Sequence, residues 1–156
     1  MRVLAIDPGY GRCGVAVLEK VGGRELLAYS ACIETTSDVD FPQRLAAIVE
    51  KCRRLLEKHH PDELALEKLY FTKNQKTAMR VAEVRGAIIA AAARVGIPVS
   101  EYSPGEVKSA VAGFGRADKR AIAKMLRTLL SIKKDIRHDD EYDAIAVGVT
   151  HLARSR

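Results

Sequence analysis

The chain has 156 residues, 47% hydrophobic and 29% charged, with 26 Lys and Arg against 20 Asp and Glu for a formal charge of +6. That balance excludes a disordered chain and gives one domain over residues 1–156 enough apolar surface to fold without staples. The basic excess favours a polyanionic partner without identifying it, while the opening MRVLAIDPG is too short and too soon broken for a signal peptide, and no segment is long enough to span a bilayer, so the chain reads as cytoplasmic.

In chain order, VLAID predicts a strand over residues 2–7, CGVAVLE a second over 13–19, and Gly22-Gly23 a turn into a third over 25–34, together an antiparallel meander. Leu45, Ile48, Val49, Cys52, Leu55 and Leu56 recur at three- and four-residue spacing, which predicts a helix over 42–59 that Pro61 and Asp62 break. ELALEKLYF follows as a short strand, with Leu64 and Leu66 facing one way and Ala65 and Glu67 the other. A helix over 74–95 carries Ala78, Val81, Ala82, Ile88, Ile89 and Ala92 on its core face and stops at Gly96. IPVSEY is a fifth strand, Ser103-Pro104 opens a short helix, residues 113–116 form a loop, and Ile122, Met125, Leu126, Leu129 and Leu130 mark the stripe of another helix. The last helix spans 139–153. Three meander strands followed by alternating helices and strands predict an α/β fold, a five-stranded mixed sheet with helices on both faces. Cys13, Cys32 and Cys52 are widely spaced with no CxxC pair, so they read as reduced core thiols rather than a disulfide or zinc framework.

Acidic residues fall where this architecture can gather them. Asp7 ends the first strand, Glu67 ends an apolar strand, and Asp140 and Asp143, three apart, share a face of the last helix. Each has an ordinary explanation: Asp-Pro-Gly is good turn chemistry, Glu67 could be a rim residue, and DDE at 139–141 complements a helix dipole. As a set they describe something narrower. Oxygen ligands on several rigid elements, without His or Cys at ligand spacing, suit magnesium or manganese rather than zinc, and two such ions can hydrolyse a phosphodiester.

IDPGYGRCGVAV, ALEKLYFTKN, VKSAVAGFGRADK and HDDEYDAIAVGVTH resemble the successive motifs of the RuvC family of bacterial Holliday junction resolvases, in the same order and over essentially the whole chain. The resemblance implies an RNase H-like fold, a homodimer, and symmetric Mg2+-dependent nicking of four-way junction DNA, with Mn2+ as a possible substitute and the RuvA-RuvB branch-migration complex as a partner. It places the catalytic metal ligands on Asp7, Glu67, Asp140 and Asp143, with Asp139 and His138 as rivals for the third position. Tyr70 falls where the family's junction-entering aromatic stands, while Phe71 reads as structural. Lys108 and Lys119 match family positions near DNA. Lys73, Lys76, Arg116 and Arg120 are read with them as phosphate contacts, and Arg85 as either a phosphate contact or an interfacial ion pair. Gly86, Ala87, Ala90, Ala91 and Ala93 give the second long helix a small-residue face on which another copy could pack. An actin-like phosphotransferase or ATPase, whose first hairpin also uses an Asp and glycines, and a catalytically silent junction-binding module are the alternatives.

Overall fold

In the computed structural model, residues 1–69, 75–113 and 118–155 are described. Three strands, β1 (Arg2–Asp7), β2 (Arg12–Val21) and β3 (Arg24–Glu34), form the predicted meander, turned at Gly22 and Gly23, both at positive φ. Helix α1 (Phe41–His59), strand β4 (Glu63–Glu67), helix α2 (Gln75–Arg94) and strand β5 (Val99–Tyr102) follow. Helices α3 (Pro104–Ala112), α4 (Lys119–Leu129) and α5 (Asp139–Arg154) complete the chain. The sheet order is β3-β2-β1-β4-β5, antiparallel across β1, β2 and β3 and parallel from β1 through β4 to β5.

β1 sits at the centre of the sheet, and Val3, Leu4, Ala5 and Ile6 are all fully buried. Such a strand must be apolar on both faces, because helices cover both. Leu4 and Ile6 join Leu64, Leu66, Ile48, Cys52, Val84 and Ile88 beneath α1 and α2. Val3, Ala5 and Ala65 point the other way, into the layer of α3, α4 and α5. Since side chains alternate along a strand, Asp7 and Glu67 follow Ala5 and Ala65 onto the α5 side. The parallel register pairs Ile6 with Leu66, so the two carboxylates leave the sheet side by side at its carboxyl edge.

Local signals set the helix starts. Asp40 accepts a hydrogen bond from the Gln43 amide at 3.1 Å and Asp118 one from the Ala121 amide at 2.8 Å. Ser103 and Glu106 form a reciprocal capping box at the start of α3. Burying α5 needs close approach to the sheet, and Gly148 provides it: a Cβ there would stand 2.3 Å from Leu18 Cδ1.

Several expectations are corrected. The fourth strand ends at Glu67 instead of running on through residues 68 and 69, and the rest of that stretch lies outside the described residues. On α2, Val84 is buried where Ala82 was expected to be, because the face that meets α1 and the sheet runs through Ala78, Val84, Ile88 and Ala92. On α4, Met125 and Leu129 are 48% and 53% exposed, since this outer helix packs mainly on α3 and α5 and its inward face is satisfied by Ile122 and Leu126. Cys13 and Cys52 are buried thiols, but Cys32 is only half-buried; all three are free. No helix among the described residues is long and apolar enough to cross a membrane.

Candidate active site

A cleft of about 480 Å³ opens at the carboxyl edge of the sheet, lined by Asp7, Glu67 and Asp143, by Lys108, Asp118 and Lys119, and by the apolar Pro104, Val107, Ile122 and Ala146. Asp7 comes from β1, Glu67 from β4 and Asp143 from α5, so three rigid elements bring three carboxylates to one hollow. Asp140 lies one helical turn before Asp143 but does not line the cleft. Its Oδ2 is 3.0 Å from Arg12 Nε on β2, in an ion pair without hydrogen-bond alignment, and that oxygen is shut off from solvent with no hydrogen-bond partner.

Crowding of like charges marks the centre. Burial, then Asp143, Glu67 and Asp140, push the Asp7 carboxyl from its ordinary 3.8 up to about 8. Burial and Asp143 also raise Glu67, against a downward pull from Lys119 and Lys108. Asp143 is raised by burial, opposed by the charge and hydrogen bond of Lys119. Burial alone would lower the Lys119 ammonium; Asp143, Asp139 and Asp7 reverse this and raise it. Lys119 Nζ lies 3.2 Å from Asp143 Oδ2 and 3.7 Å from Asp139 Oδ2. The site is thus an acidic centre partly neutralised by its own lysine and arginine.

An all-oxygen donor set and the raised carboxyls of Asp7, Glu67 and Asp143 fit a hard divalent cation. The carboxylates stand apart: among the described residues no group of three or more His, Cys, Asp or Glu closes on a single ion position. Of the rivals for the third ligand, Asp139 is exposed and faces Lys119, while His138 has Nε2 3.0 Å from Glu34 Oε1 and Nδ1 3.4 Å from an Arg12 nitrogen. Glu141 is buried away from the cleft, where it accepts from Ser30 Oγ at 2.6 Å and pairs with Lys134.

The expected DNA contacts divide. Lys108 and Lys119 reach the cleft, and Arg120 lies beside it in a smaller hollow with Asp139, Tyr142 and Asp143. Lys76 is exposed in the first turn of α2. Arg85 is paired within the chain to Glu101 on β5, with its side chain mostly out of solvent. It still lines a hollow of about 250 Å³ that shares Asp7 and Glu67 with the main cleft. Tyr70, Phe71, Lys73 and Arg116 lie outside the described residues. Arg12 was not anticipated. Nothing in the order of residues places it beside Asp140, because the contact arises only when α5 docks on β2.

The family model described as crossover junction endodeoxyribonuclease RuvC matches residues 3–151. A curated crossover junction endodeoxyribonuclease RuvC of Thermotoga petrophila is 42% identical over 156 residues, 100% of this chain and 94% of that one. A Thermus thermophilus RuvC solved in complex with Holliday junction substrate superposes with a TM-score of 0.90 at 31% identity, covering 97% of this chain and 93% of that one. The yeast mitochondrial Holliday junction resolvase Ydc2, at 15% identity and a TM-score of 0.70 over 95% of this chain and 77% of that one, shares the fold. The actin-like and catalytically silent alternatives are not favoured.

Proposed function

The chain belongs to the RuvC family of crossover junction endodeoxyribonucleases, and from that premise we propose that it resolves four-way DNA junctions by paired, symmetric nicks that leave 5′-phosphate ends. The observation that carries this reading is the convergence of Asp7, Glu67 and Asp143 on a cleft edged by Lys108 and Lys119. Asp7, Glu67, Asp143 and Asp140 would hold two Mg2+ ions, for which Mn2+ can substitute. Such ions lower the pKa of a water and stabilise the leaving oxygen of an in-line displacement.

The chain's own residues do the rest. The apolar wall of Val107, Ile122 and Ala146 lowers the local dielectric, so charges in the cleft act more strongly than they would in water. Lys108 and Lys119 draw the phosphodiester toward the carboxylates, and Lys76, Arg120, Lys73 and Arg116 extend the phosphate path. Tyr70 stacks on bases at the opened junction centre. Arg85, engaged by Glu101, braces α2 against β5. No protein nucleophile is required.

Two cuts need two sites, so the working unit is a homodimer. Ala82, Gly86, Ala90 and Ala93 leave an exposed small-residue strip on α2, suited to close helix approach by a second copy. The chain works as a single domain in the cytoplasm, alongside RuvA-RuvB. Incubation of purified protein with a mobile four-way junction and a matched linear duplex, in Mg2+ and then in EDTA, tests the reading. Paired nicks confined to the junction and abolished by EDTA are expected; equal cutting of both DNAs, or none of either in Mg2+, would overturn it.

A further inference from the structure

Three of the four candidate metal ligands line the cleft and the fourth, Asp140, does not. What occupies Asp140 is Arg12, whose Nε stands 3.0 Å from Oδ2 while more than half of its side chain remains exposed. Arg12 is itself braced, since one of its terminal nitrogens lies 3.4 Å from His138 Nδ1 and His138 Nε2 lies 3.0 Å from Glu34 Oε1. Arg12 and Glu34 are also partners in the β2–β3 register, so the chain of contacts runs from the sheet edge to the first turn of α5.

We propose that Arg12 is a positioning residue that holds Asp140 out of the metal site until a DNA phosphate takes the arginine away. The Arg12 guanidinium and a divalent cation draw on the same Asp140 charge, and Arg12 holds Oδ2, so opening the pair strengthens Asp140 as a ligand. A phosphodiester is the natural competitor, because guanidinium binds phosphate oxygens through charge-assisted hydrogen bonds and Arg12 is accessible to it. DNA binding and completion of the metal site are thereby linked, and the linkage is reciprocal. The inference rests on Asp140 being a metal ligand, which is part of the function proposed above.

Mn2+ titrated into DNA-free protein, with free ion read by electron paramagnetic resonance, tests it without cleavage. Arg12→Gln should bind Mn2+ three- to tenfold more tightly than wild type, and Arg12→Lys, which keeps the charge, should stay near wild type. Junction affinity by fluorescence anisotropy with and without Ca2+ should show a smaller metal effect in Arg12→Gln than in wild type. Glu34→Gln, which loosens the brace without removing Arg12, gives a milder change in the same direction should Arg12→Gln fold poorly. Wild-type binding of Mn2+ with no gain in either Arg12→Gln or Glu34→Gln overturns the inference alone. Failure of wild type to bind Mn2+ overturns the metal reading and the inference together.

Discussion

Gly14 and Asp140 meet at a distance that only glycine permits: the Asp140 carbonyl oxygen stands 1.8 Å from where a Cβ on Gly14 would be. Gly14 is also the register partner of Asp7 across the β1–β2 ladder. The missing side chain therefore allows the acidic turn of α5 to lie against the strand that carries the central aspartate.

Gly14→Ala should consequently impair both stability and cleavage. The clash is with backbone on a buried helix and cannot be relieved by a rotamer change, so a loss of about 3 kcal/mol is expected. Thermal melting by circular dichroism and single-turnover cleavage of a four-way junction check it. A variant with the wild-type melting temperature would mean that α5 shifts freely on β2.

Asp7→Asn should separate function from stability. In the metal-free fold the Asp7 carboxyl is raised to about 8, chiefly by burial, against 3.8 when unfolded. A raised carboxyl binds more protons folded than unfolded, so wild-type stability falls as pH rises from about 4 to about 8. Asparagine removes that titration. In EDTA the variant should melt at higher temperature than wild type, by several degrees at pH 8 and by little at pH 4, while cleavage in Mg2+ is lost. A variant less stable than wild type at pH 8 would show that Asp7 serves the turn more than the site.

These two residues mark how far the sequence was legible. Asp7 and Glu67 could be found because each is a charge closing a strand whose interior is apolar, and period-two alternation then fixes its face. Asp140 and Asp143 followed from helical spacing. Arg12, Gly14 and Gly148 could not be read in the same way, since their roles depend on how closely α5 docks on β2, a contact between segments some 130 residues apart. Helix faces failed for a related reason. Ala82 and Val84 on α2, and Met125 and Leu129 on α4, are equally apolar in pattern, and only the presence or absence of a neighbouring layer decides which are buried. Arg85 found its partner in Glu101 on another element, which spacing along α2 does not reveal.

His151 should make a separate acid-sensitive contribution. It is buried on α5, with Nδ1 3.0 Å from the Tyr102 hydroxyl and Nε2 3.5 Å from Glu63 Oε2, and burial lowers its pKa despite an opposing pull from Glu63. Arg154 also faces this group, over the Tyr102 ring at 5.7 Å. A lowered histidine binds fewer protons folded than unfolded, so its contribution is complete above about 6.5 and is lost as pH falls below that value. The stability difference between wild type and His151→Gln should therefore shrink as pH drops from 7.5 to 5.5 in denaturant titrations. A difference that stays constant or widens over that range would show that His151 takes up its proton in the folded protein as easily as in the unfolded chain.

Lys119 is expected to act on both binding and cutting, and comparison with Arg120 separates the two. Both side chains are exposed at the start of α4, but only Lys119 lines the main cleft and touches Asp143. As a phosphate contact, each should contribute about one unit to the slope of log affinity against log salt for the junction. Lys119→Gln should lower that slope, and it should also reduce single-turnover cleavage at saturating enzyme by about tenfold or more, because a positive charge beside the reacting phosphate is removed from a partly desolvated site. Arg120→Gln should lower the slope alone and leave the saturated rate within about twofold of wild type. The metal-free proteins differ as well: without Lys119, the Asp7, Asp139 and Asp143 charges lose a shared counter-ion, so Lys119→Gln should melt below Arg120→Gln in EDTA. Equal cleavage rates for the two variants would place Lys119 among the general phosphate contacts and outside the chemistry of the cleft.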